Sequence, residues 1–586
     1  MGGRPARARV RRAEQRFNAR IAVVKDDRAP EAPRSVRPER ALVPPAAERG
    51  AIPDLLHAVP AISVDEPALG HALSFAFVAG SAGGSLATAL GRTALAASSF
   101  TPDTLQDGLF LDELLALIFE FPLAGRPAPI DRAHLRKLLT RPPSDLADVQ
   151  TRQAVLAELT EQPALARALE QLYASVAGLP ALLDDHGSDS RLDPTEWRLD
   201  VLRAIRDAIR ALDARFGEAS SALVRLHEFG ERVRSSAGYE RLEALLDFEA
   251  DSARADLQIR LGADGRIRTL DIVSLRERRD SPFHRGPVNR VWRRLMAWIQ
   301  GYRIGPMEVV DRWLESVFDG VREHIPSLLQ LKGDLELYLG ALHFKAQAEA
   351  RGLAVCLPEL VCAPARDRPK RLLGLWNPLL LAQPRLPIAT DLDLPSFAST
   401  CITTGPNSGG KTRFLQALAL TQLLGQAGAF VPARAATIRP VAGMFVSLGE
   451  APHADQKEGR LGMELVRVRK LFEQAHAGSL VVLDELCSGT NPSEGEEIFR
   501  MLLELLHELE HEVHITTHFL SFAQTLKLEA DALGLSFLQV ELDDTQHPTY
   551  RFVPGVATTS LAHQTAERLG VTRDQLRALI RHQQER

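Results

Sequence analysis

The stretch TCITTGPNSGGKTRFLQALALTQLL, residues 400–424, decides the fold. A short apolar run ends in Gly405-Pro-Asn-Ser-Gly-Gly-Lys-Thr412 and leads into apolar residues at helical spacing. This is the template GxxxxGK[ST] in its strand–loop–helix setting. Each residue type answers a physical demand. Glycines at 405, 409 and 410 let backbone N–H groups curl around phosphate oxygens, with Pro406, Asn407 and Ser408 completing the loop. The helix that follows adds its favourable dipole end. Lys411 can reach the β- and γ-phosphates of a nucleoside triphosphate, and Thr412 can ligate Mg²⁺. The bland alternative is a glycine-rich turn that binds nothing.

Such a loop needs a second half, an apolar strand ending in an acid. Residues 479–485, SLVVLDE, supply it. Asp484 is placed to hold Mg²⁺ through its water shell, and Glu485 to polarise an attacking water. A further strand, HEVHITTHF at 511–519, ends at His518, where a histidine near the γ-phosphate could report nucleotide state. A hydrogen-bonded loop histidine is the competing reading. Texture around these motifs, from about 370 onward, is short apolar runs followed by helices, an α/β pattern.

Upstream the pattern is helical from about 100 to 250. Leu202, Ile205, Ile209, Leu212 and Phe216 recur at 3, 4, 3, 4, the seam of a long helix able to act as a lever. Alternation at Leu257, Ile259 and Leu261, turn chemistry at Gly262–Gly265 and resumed apolar positions at Ile267 and Ile272 predict a β-hairpin. A basic, aromatic stretch follows, with Arg276, Arg278, Arg279, Arg285, Arg290, Arg293, Arg294 and Arg303 interleaved with Phe283, Trp292, Trp298 and Tyr302. These arginines could contact DNA phosphates. Alternatively, Trp292, Leu295, Met296 and Ile299 form the core face of a helix, or that amphipathic face rests on a membrane surface. From Met307 to about Arg351 a second long helix is expected to return beside the first.

Composition bounds the rest. With 586 residues, 45% hydrophobic and 25% charged, the chain is long enough for several domains and is neither collagenous nor disulfide-stapled. Cys356, Cys362, Cys401 and Cys487 are too scattered for a disulfide framework or a zinc site, which predicts a reducing cytoplasm. Residues 1–50 hold 13 Lys and Arg against 6 Asp and Glu, a local +7, leaving −12 for the remainder of a chain of net charge −5. Nucleic-acid contact must therefore come from local basic patches. Six prolines among the first fifty residues predict a disordered basic arm over 1–60. The uncharged run 72–91, ALSFAFVAGSAGGSLATALG, has the length of a spanning helix but is dominated by small residues, so a packed or looped segment is expected and no integral membrane span.

In this order and spacing, GPNSGGKT, LVVLDELCSGTNPSEG and ITTHF resemble the ATPase domain of the MutS family, itself within the ABC ATPase superfamily. LGLWNPLL (373–380) is similar to the family's segment leading into that domain, GQAGAFVPARAATI (425–438) to the stretch after the loop helix, and SLAHQTAERLGV (560–571) to its C-terminal helices. RPPSDLADVQTRQAVLAELTEQPALARAL (141–169) resembles the core that carries the family's levers. The resemblance implies an α plus α/β protein, a helical core and lever domain followed by a P-loop ATPase domain, which binds ATP and Mg²⁺, forms a homodimer and clamps DNA. The domains expected are a basic arm (1–60), helical core and first lever (61–255), a hairpin and clamp-like insertion (256–305), returning lever helices (306–365) and the ATPase domain (366–586).

Departures shape the functional expectation. The resemblance implies a mismatch-reading N-terminal domain with a Phe-x-Glu wedge, which residues 1–100 do not offer, and for the recombination-linked paralogues a C-terminal Smr domain, for which no room is expected. Where the family places a Ser/Thr-rich contact to nucleotide across the dimer, this chain reads KEGRLGMELVRV (457–468), with Leu461 and Gly462 at those positions. The expectation is a DNA-binding ATPase that does not read mismatches. An ATP-gated scaffold for a protein or membrane partner is the alternative. A transporter subunit would need an LSGGQ-type motif, which is absent.

Overall fold

The computed structural model describes residues 52–584 apart from 80–81, 83, 96, 101–104, 106–107, 185–193, 251–252, 262–266, 278–305, 362–367, 449–459, 488–490, 510, 531–532 and 559–570. The first part is helical: α1 (Glu66–Ala79), α2 (Ser85–Gly91), α3 (Leu111–Ile118), a minimal hairpin of β1 (Pro122–Leu123) and β2 (Arg126–Pro127), then α4 (Arg132–Thr140), α5 (Leu146–Glu161), α6 (Pro163–Val176), α7 (Leu179–Asp184), α8 (Pro194–Arg210), α9 (Val224–Arg234) and α10 (Ala237–Ala250). Local chemistry sets the boundaries. Asp131 and Asp145 cap α4 and α5 by accepting from the His134 and Ala147 amides, and Pro163 opens α6 where its missing N–H costs nothing.

β3 (Ala253–Leu261) and β4 (Ile267–Glu277) form the antiparallel hairpin that the alternation predicts. α11 (Pro306–Asp319) and α12 (Ile325–Ala350) return from it. α12 is buried on nearly every side through its first five turns, from Leu328 and Leu331 to Tyr338 and Ala341, and α1, α3, α4, α5 and α6 pack around it.

The five apolar residues expected to line one long lever helix do not all lie on one helix. α8 stops at Arg210, and Leu212 and Phe216 lie beyond it, Phe216 in a 3₁₀ turn over Ala214–Glu218 that Asp213 caps. The Arg234 guanidinium donates to the Ile209 and Leu212 carbonyls and so satisfies the helix end. All five seam residues are buried in the core. Nor does α12 run beside α8: it packs on α6, whereas the shorter α11 meets α8.

Two further boundaries move. The arm was expected to reach residue 60, yet Ile52, Leu55 and Leu56 are buried, and residues 54–61 are tied down by distant groups. Asp334 accepts from the Leu55 amide, Asp148 from the Ala58 amide, and Arg225 donates to the Asp54, His57 and Ala58 carbonyls. In the small-residue run, α1 and α2 are separated at Gly84, which adopts φ +82°. Phe77 of α1 stacks on Phe318, ring centroids 3.9 Å apart. Among the described residues no helix is long and apolar enough to cross a membrane.

The second part begins with β5 (Glu359–Leu360), β6 (Lys370–Leu375), β7 (Thr390–Leu394) and β8 (Thr400–Thr404). α13 (Lys411–Gln426), β9 (Ala435–Ile438), β10 (Met444–Ser447), α14 (Arg460–Gln474), β11 (Leu480–Leu483), α15 (Pro492–Glu508), β12 (Glu512–Thr516), α16 (Leu520–Lys527), β13 (Leu535–Leu542), β14 (Pro548–Pro554) and α17 (Arg573–Gln584) follow. The larger sheet has the order β10-β11-β12-β8-β13-β14, parallel except for the antiparallel edge strand β14. A smaller sheet has the order β5-β9-β6-β7.

β8, β11 and β12 are wholly buried, as strands covered on both faces must be. Along β11, Leu480 and Val482 face a core shared with α13, and Val481 and Leu483 face α15 and α16. The first of these cores is continuous with the helical part, from Leu55 to Leu415 and Leu418 of α13. The architecture is thus α plus α/β. It brings the carboxyl ends of β8, β12 and β11 side by side.

Candidate nucleotide site

The loop leaving β8 is shaped by what presses on it. A Cβ at Gly405 would meet Val540 Cγ2 at 2.6 Å and one at Gly409 the same atom at 2.8 Å, so β13 forbids side chains there. Gly405 (φ +141°) and Gly410 (φ +85°) also adopt backbone angles that favour glycine. Gly410 is the N-cap of α13 and offers no side-chain acceptor, so the first amides of the helix remain directed at whatever sits in the loop.

Lys411, only 3% exposed, donates from Nζ to the Gly405 and Pro406 carbonyls at 3.0 and 3.2 Å. Its ammonium lies 3.9 Å from Glu485 Oε1. Burial draws its pKa below the ordinary lysine value against the opposing pull of Glu485 and Asp484. Thr412 donates its hydroxyl to Asp484 Oδ2 at 2.6 Å. On the other side of that carboxylate, the Thr516 hydroxyl donates to Oδ1 and accepts from the Glu485 amide at 2.8 Å. Glu485 takes φ +48° and Cys487 φ +61°, a left-handed turn of non-glycine residues costing of order 1–3 kcal/mol each. The tie to Thr516 helps hold it.

The structure therefore brings together Gly405, Pro406, Gly409, Gly410, Lys411, Thr412, Asp484 and Glu485, with Asn407 and Ser408 on the exposed crest of the loop. His518 lies exposed in the turn after β12, two residues beyond Thr516, its ring 4.3 Å from that of Phe519. Leu461 and Gly462 fall in the first turn of α14. Of the candidate DNA arginines, Arg276 is on β4, and Arg278, Arg279, Arg285, Arg290, Arg293, Arg294 and Arg303 lie outside the described residues.

Two features escaped sequence reasoning. Thr516 is one threonine of a TTH run, and only its neighbour His518 drew notice. The other is a cavity of about 520 Å³ beside the first turn of α13, lined by Trp376, Asn377, Arg385, Ile388, Tyr550 and Phe552 among others. Asn377 donates to the Arg413 carbonyl and to Gln416 Oε1, fixing the cavity wall to α13. Tyr550 (φ +63°) sits 3.2 Å from where a Gly410 Cβ would be, and the Arg385 guanidinium lies 5.8 Å from its ring centre. A partly aromatic cleft of this size next to a phosphate loop can take a base and sugar.

The residues fit a nucleotide with Mg²⁺. The loop is closed to side chains, the buried cation is met by carbonyls, and a hydroxyl and a carboxylate stand together beside it. Among the described residues no cluster of three or more His, Cys, Asp or Glu forms a metal cage. A divalent ion here would rest on Thr412 and Asp484 with its other positions left to water and phosphate, which is the habit of Mg²⁺.

The family model MutS domain V matches residues 401–580. The chain is similar to the "Endonuclease MutS2" of Thermomicrobium roseum, 32% identical over 306 residues, which is 50% of this chain and 36% of that protein. The proteins of the same name from Streptococcus uberis and Streptococcus agalactiae are 28% and 30% identical over 266 and 269 residues, 45% and 44% of this chain and 32% of each relative. The chain thus spans about a third of the length of the curated relatives it matches. Residues 401–580, built around a glycine-rich loop and a strand-end Asp–Glu pair, thus form a region that matches MutS domain V, the ATPase domain of the MutS family.

Proposed function

We propose that the protein binds and hydrolyses ATP with Mg²⁺ and uses the cycle to open and close a homodimeric clamp on duplex or branched DNA in the cytoplasm. The observation that carries the ATPase reading is the chain of contacts from Thr412 through Asp484 and Thr516 to Glu485, set beside the buried Lys411. Bound Mg²⁺ would neutralise phosphate charge between Thr412 and Asp484. Lys411 exchanges its loop carbonyls for phosphate oxygens and stabilises charge on the γ-phosphate as the bond breaks. Glu485 orients a water for in-line attack and accepts its proton. His518, on the neighbouring strand end, reports the state of the γ-phosphate. The cleft beside Tyr550 and Arg385 takes the base.

In this reading residues 366–586 are the ATPase domain, and 256–305, with the basic stretch from Arg276 to Arg294, form the insertion that meets DNA phosphates. Phosphate contact predicts strong salt dependence and little sequence preference. The test is steady-state ATP hydrolysis at low salt with and without linear and branched duplex DNA. Stimulation or suppression by DNA, lost on arginine-to-alanine changes between 276 and 294, supports the clamp. Turnover indifferent to every DNA favours an ATP-gated scaffold for a protein or membrane partner. The net −12 outside the first fifty residues is the observation that keeps that second reading in view.

Thr516 offers a sharper check on the site. Thr516→Val removes the donor to Asp484 and the acceptor of the Glu485 amide, contacts to charged or strained groups worth about 1.5–3 kcal/mol. A kcat reduced roughly 10–100-fold, with the KM for ATP changed much less, is expected. A wild-type kcat would remove Thr516 from the site.

A further inference from the structure

Two side-chain hydrogen bonds tie α13 to the helical part. Near the loop, Gln416 Nε2 donates to the Gly108 carbonyl, a tie to the helical part about one turn into the helix. At the far end stands Arg152 of α5, only 2% exposed. Its Nη1 donates to the carbonyl of Ala427, the C-cap of α13, at 3.0 Å. Its Nε donates to the Leu56 carbonyl at 3.1 Å. One planar guanidinium therefore bridges the end of the loop helix to the 52–61 segment, a geometry that a lysine's single ammonium cannot reproduce.

Chain geometry and charge both favour this position. Gly428 follows with φ +87°, and a Cβ there would come within 2.6 Å of Arg152 Cβ, so the backbone is turned to admit the arginine. A cation at the C-terminal end of a helix meets the negative end of its dipole. The carboxylates facing the guanidinium, Asp54, Asp148 and Asp334, also fasten the 52–61 segment: they accept from the Ala61, Ala58 and Leu55 amides respectively. Tyr338 of α12 closes the cluster by donating to the Leu55 carbonyl. About 24 Å of helix separates Ala427 from the phosphate loop.

We infer that Arg152 is a positioning residue for the nucleotide site: with Gln416 as pivot, it fixes the far end of α13 to the helical core, so that closure of the loop on phosphate and the ordering of residues 52–61 are one coupled equilibrium. This rests on the nucleotide reading of the loop. Coupling of this kind is reciprocal. Nucleotide should tighten the segment, and loss of the bridge should weaken nucleotide binding by the same factor.

The experiment is hydrogen exchange on the full-length protein with and without Mg²⁺ and a non-hydrolysable ATP analogue, with binding verified by displacement of a fluorescent nucleotide. In the wild type the Leu55, Ala58 and Ala61 amides should exchange about fivefold or more slowly with nucleotide bound, the lower end of ordinary allosteric coupling. In Arg152→Met, nucleotide still binds, about fivefold more weakly, and the slowing disappears. In Arg152→Lys, which keeps the charge among its three aspartates but not the bridge, less than half of the slowing returns. Full wild-type slowing in either folded variant overturns the proposal. So does nucleotide binding without slowing in the wild type, which decides the matter even if neither variant folds. Absence of nucleotide binding in the wild type instead overturns the nucleotide reading, and the coupling falls with it.

Discussion

Glu485→Gln lowers steady-state ATP turnover by about 10²–10⁴-fold while leaving ATP bound, the loss that follows when a positioned general base is removed. The substitution keeps the shape of the side chain and the backbone contact that holds it. The Glu485 amide still donates to Thr516, and the left-handed turn at φ +48° is unchanged. Only the carboxylate is lost, a group 31% exposed and hence open to water, yet 3.9 Å from the Lys411 ammonium. Its removal also frees Lys411 of an anionic neighbour, so ATP affinity is expected to hold or rise. Single-turnover hydrolysis paired with equilibrium binding of a fluorescent ATP analogue separates the two effects. Turnover within twofold of wild type would take Glu485 out of the chemistry, whatever its position.

The contrast between what could and could not be read from the chain has a physical basis. Gly405–Thr412 and Asp484–Glu485 were legible because their demands are local: backbone angles that favour glycine, a helix start, a strand that ends in acid. The apolar run at 480–483 was legible as a strand for the same reason, and it is wholly buried. Thr516 was not legible, since its worth lies in hydrogen bonds to residues 31 and 32 positions away. Tyr550 reaches the loop only through the pairing of β14 on β13, which no local pattern encodes. The seam at 202–216 misled because a 3, 4 spacing serves a buried core helix as well as a coiled-coil lever. Ordering of residues 52–60, amid proline-rich surroundings, comes from Asp148, Arg225 and Asp334, between about 90 and 280 residues downstream.

Glu512→Gln should cost about 3–5 kcal/mol of stability at pH 7, because it strips the counter-charge from a buried lysine. Lys370 of β6 and Glu512 of β12 are each 1% exposed, and their charges meet directly, joining the smaller sheet to the larger. His514 lies on the same carboxylate oxygen, Nε2 to Oε1 3.1 Å, and is itself fully buried. Burial works to raise the Glu512 pKa, but the Lys370 ammonium and the His514 hydrogen bond outweigh it and bring the carboxyl down to about 2. Burial lowers the His514 pKa despite the pull of Glu512, which keeps that ring neutral. Both shifts have the same sign for linkage, since each group binds protons more readily in the unfolded chain. The His514 contribution fades as pH falls below the ordinary 6.5, and that of Glu512 fades from the ordinary 4.5 down towards 2. Urea melts at pH 7 and pH 4 test this: the wild type should lose stability between the two, and Glu512→Gln should lose less because its carboxylate is already gone. Replacing the pair together, Lys370→Met with Glu512→Leu, removes both charges and is expected to be neutral or stabilising. A single variant within about 1 kcal/mol of wild type, or a double variant as damaged as the single, would show that the contact between the two sheets rests on packing rather than on this buried charge pair.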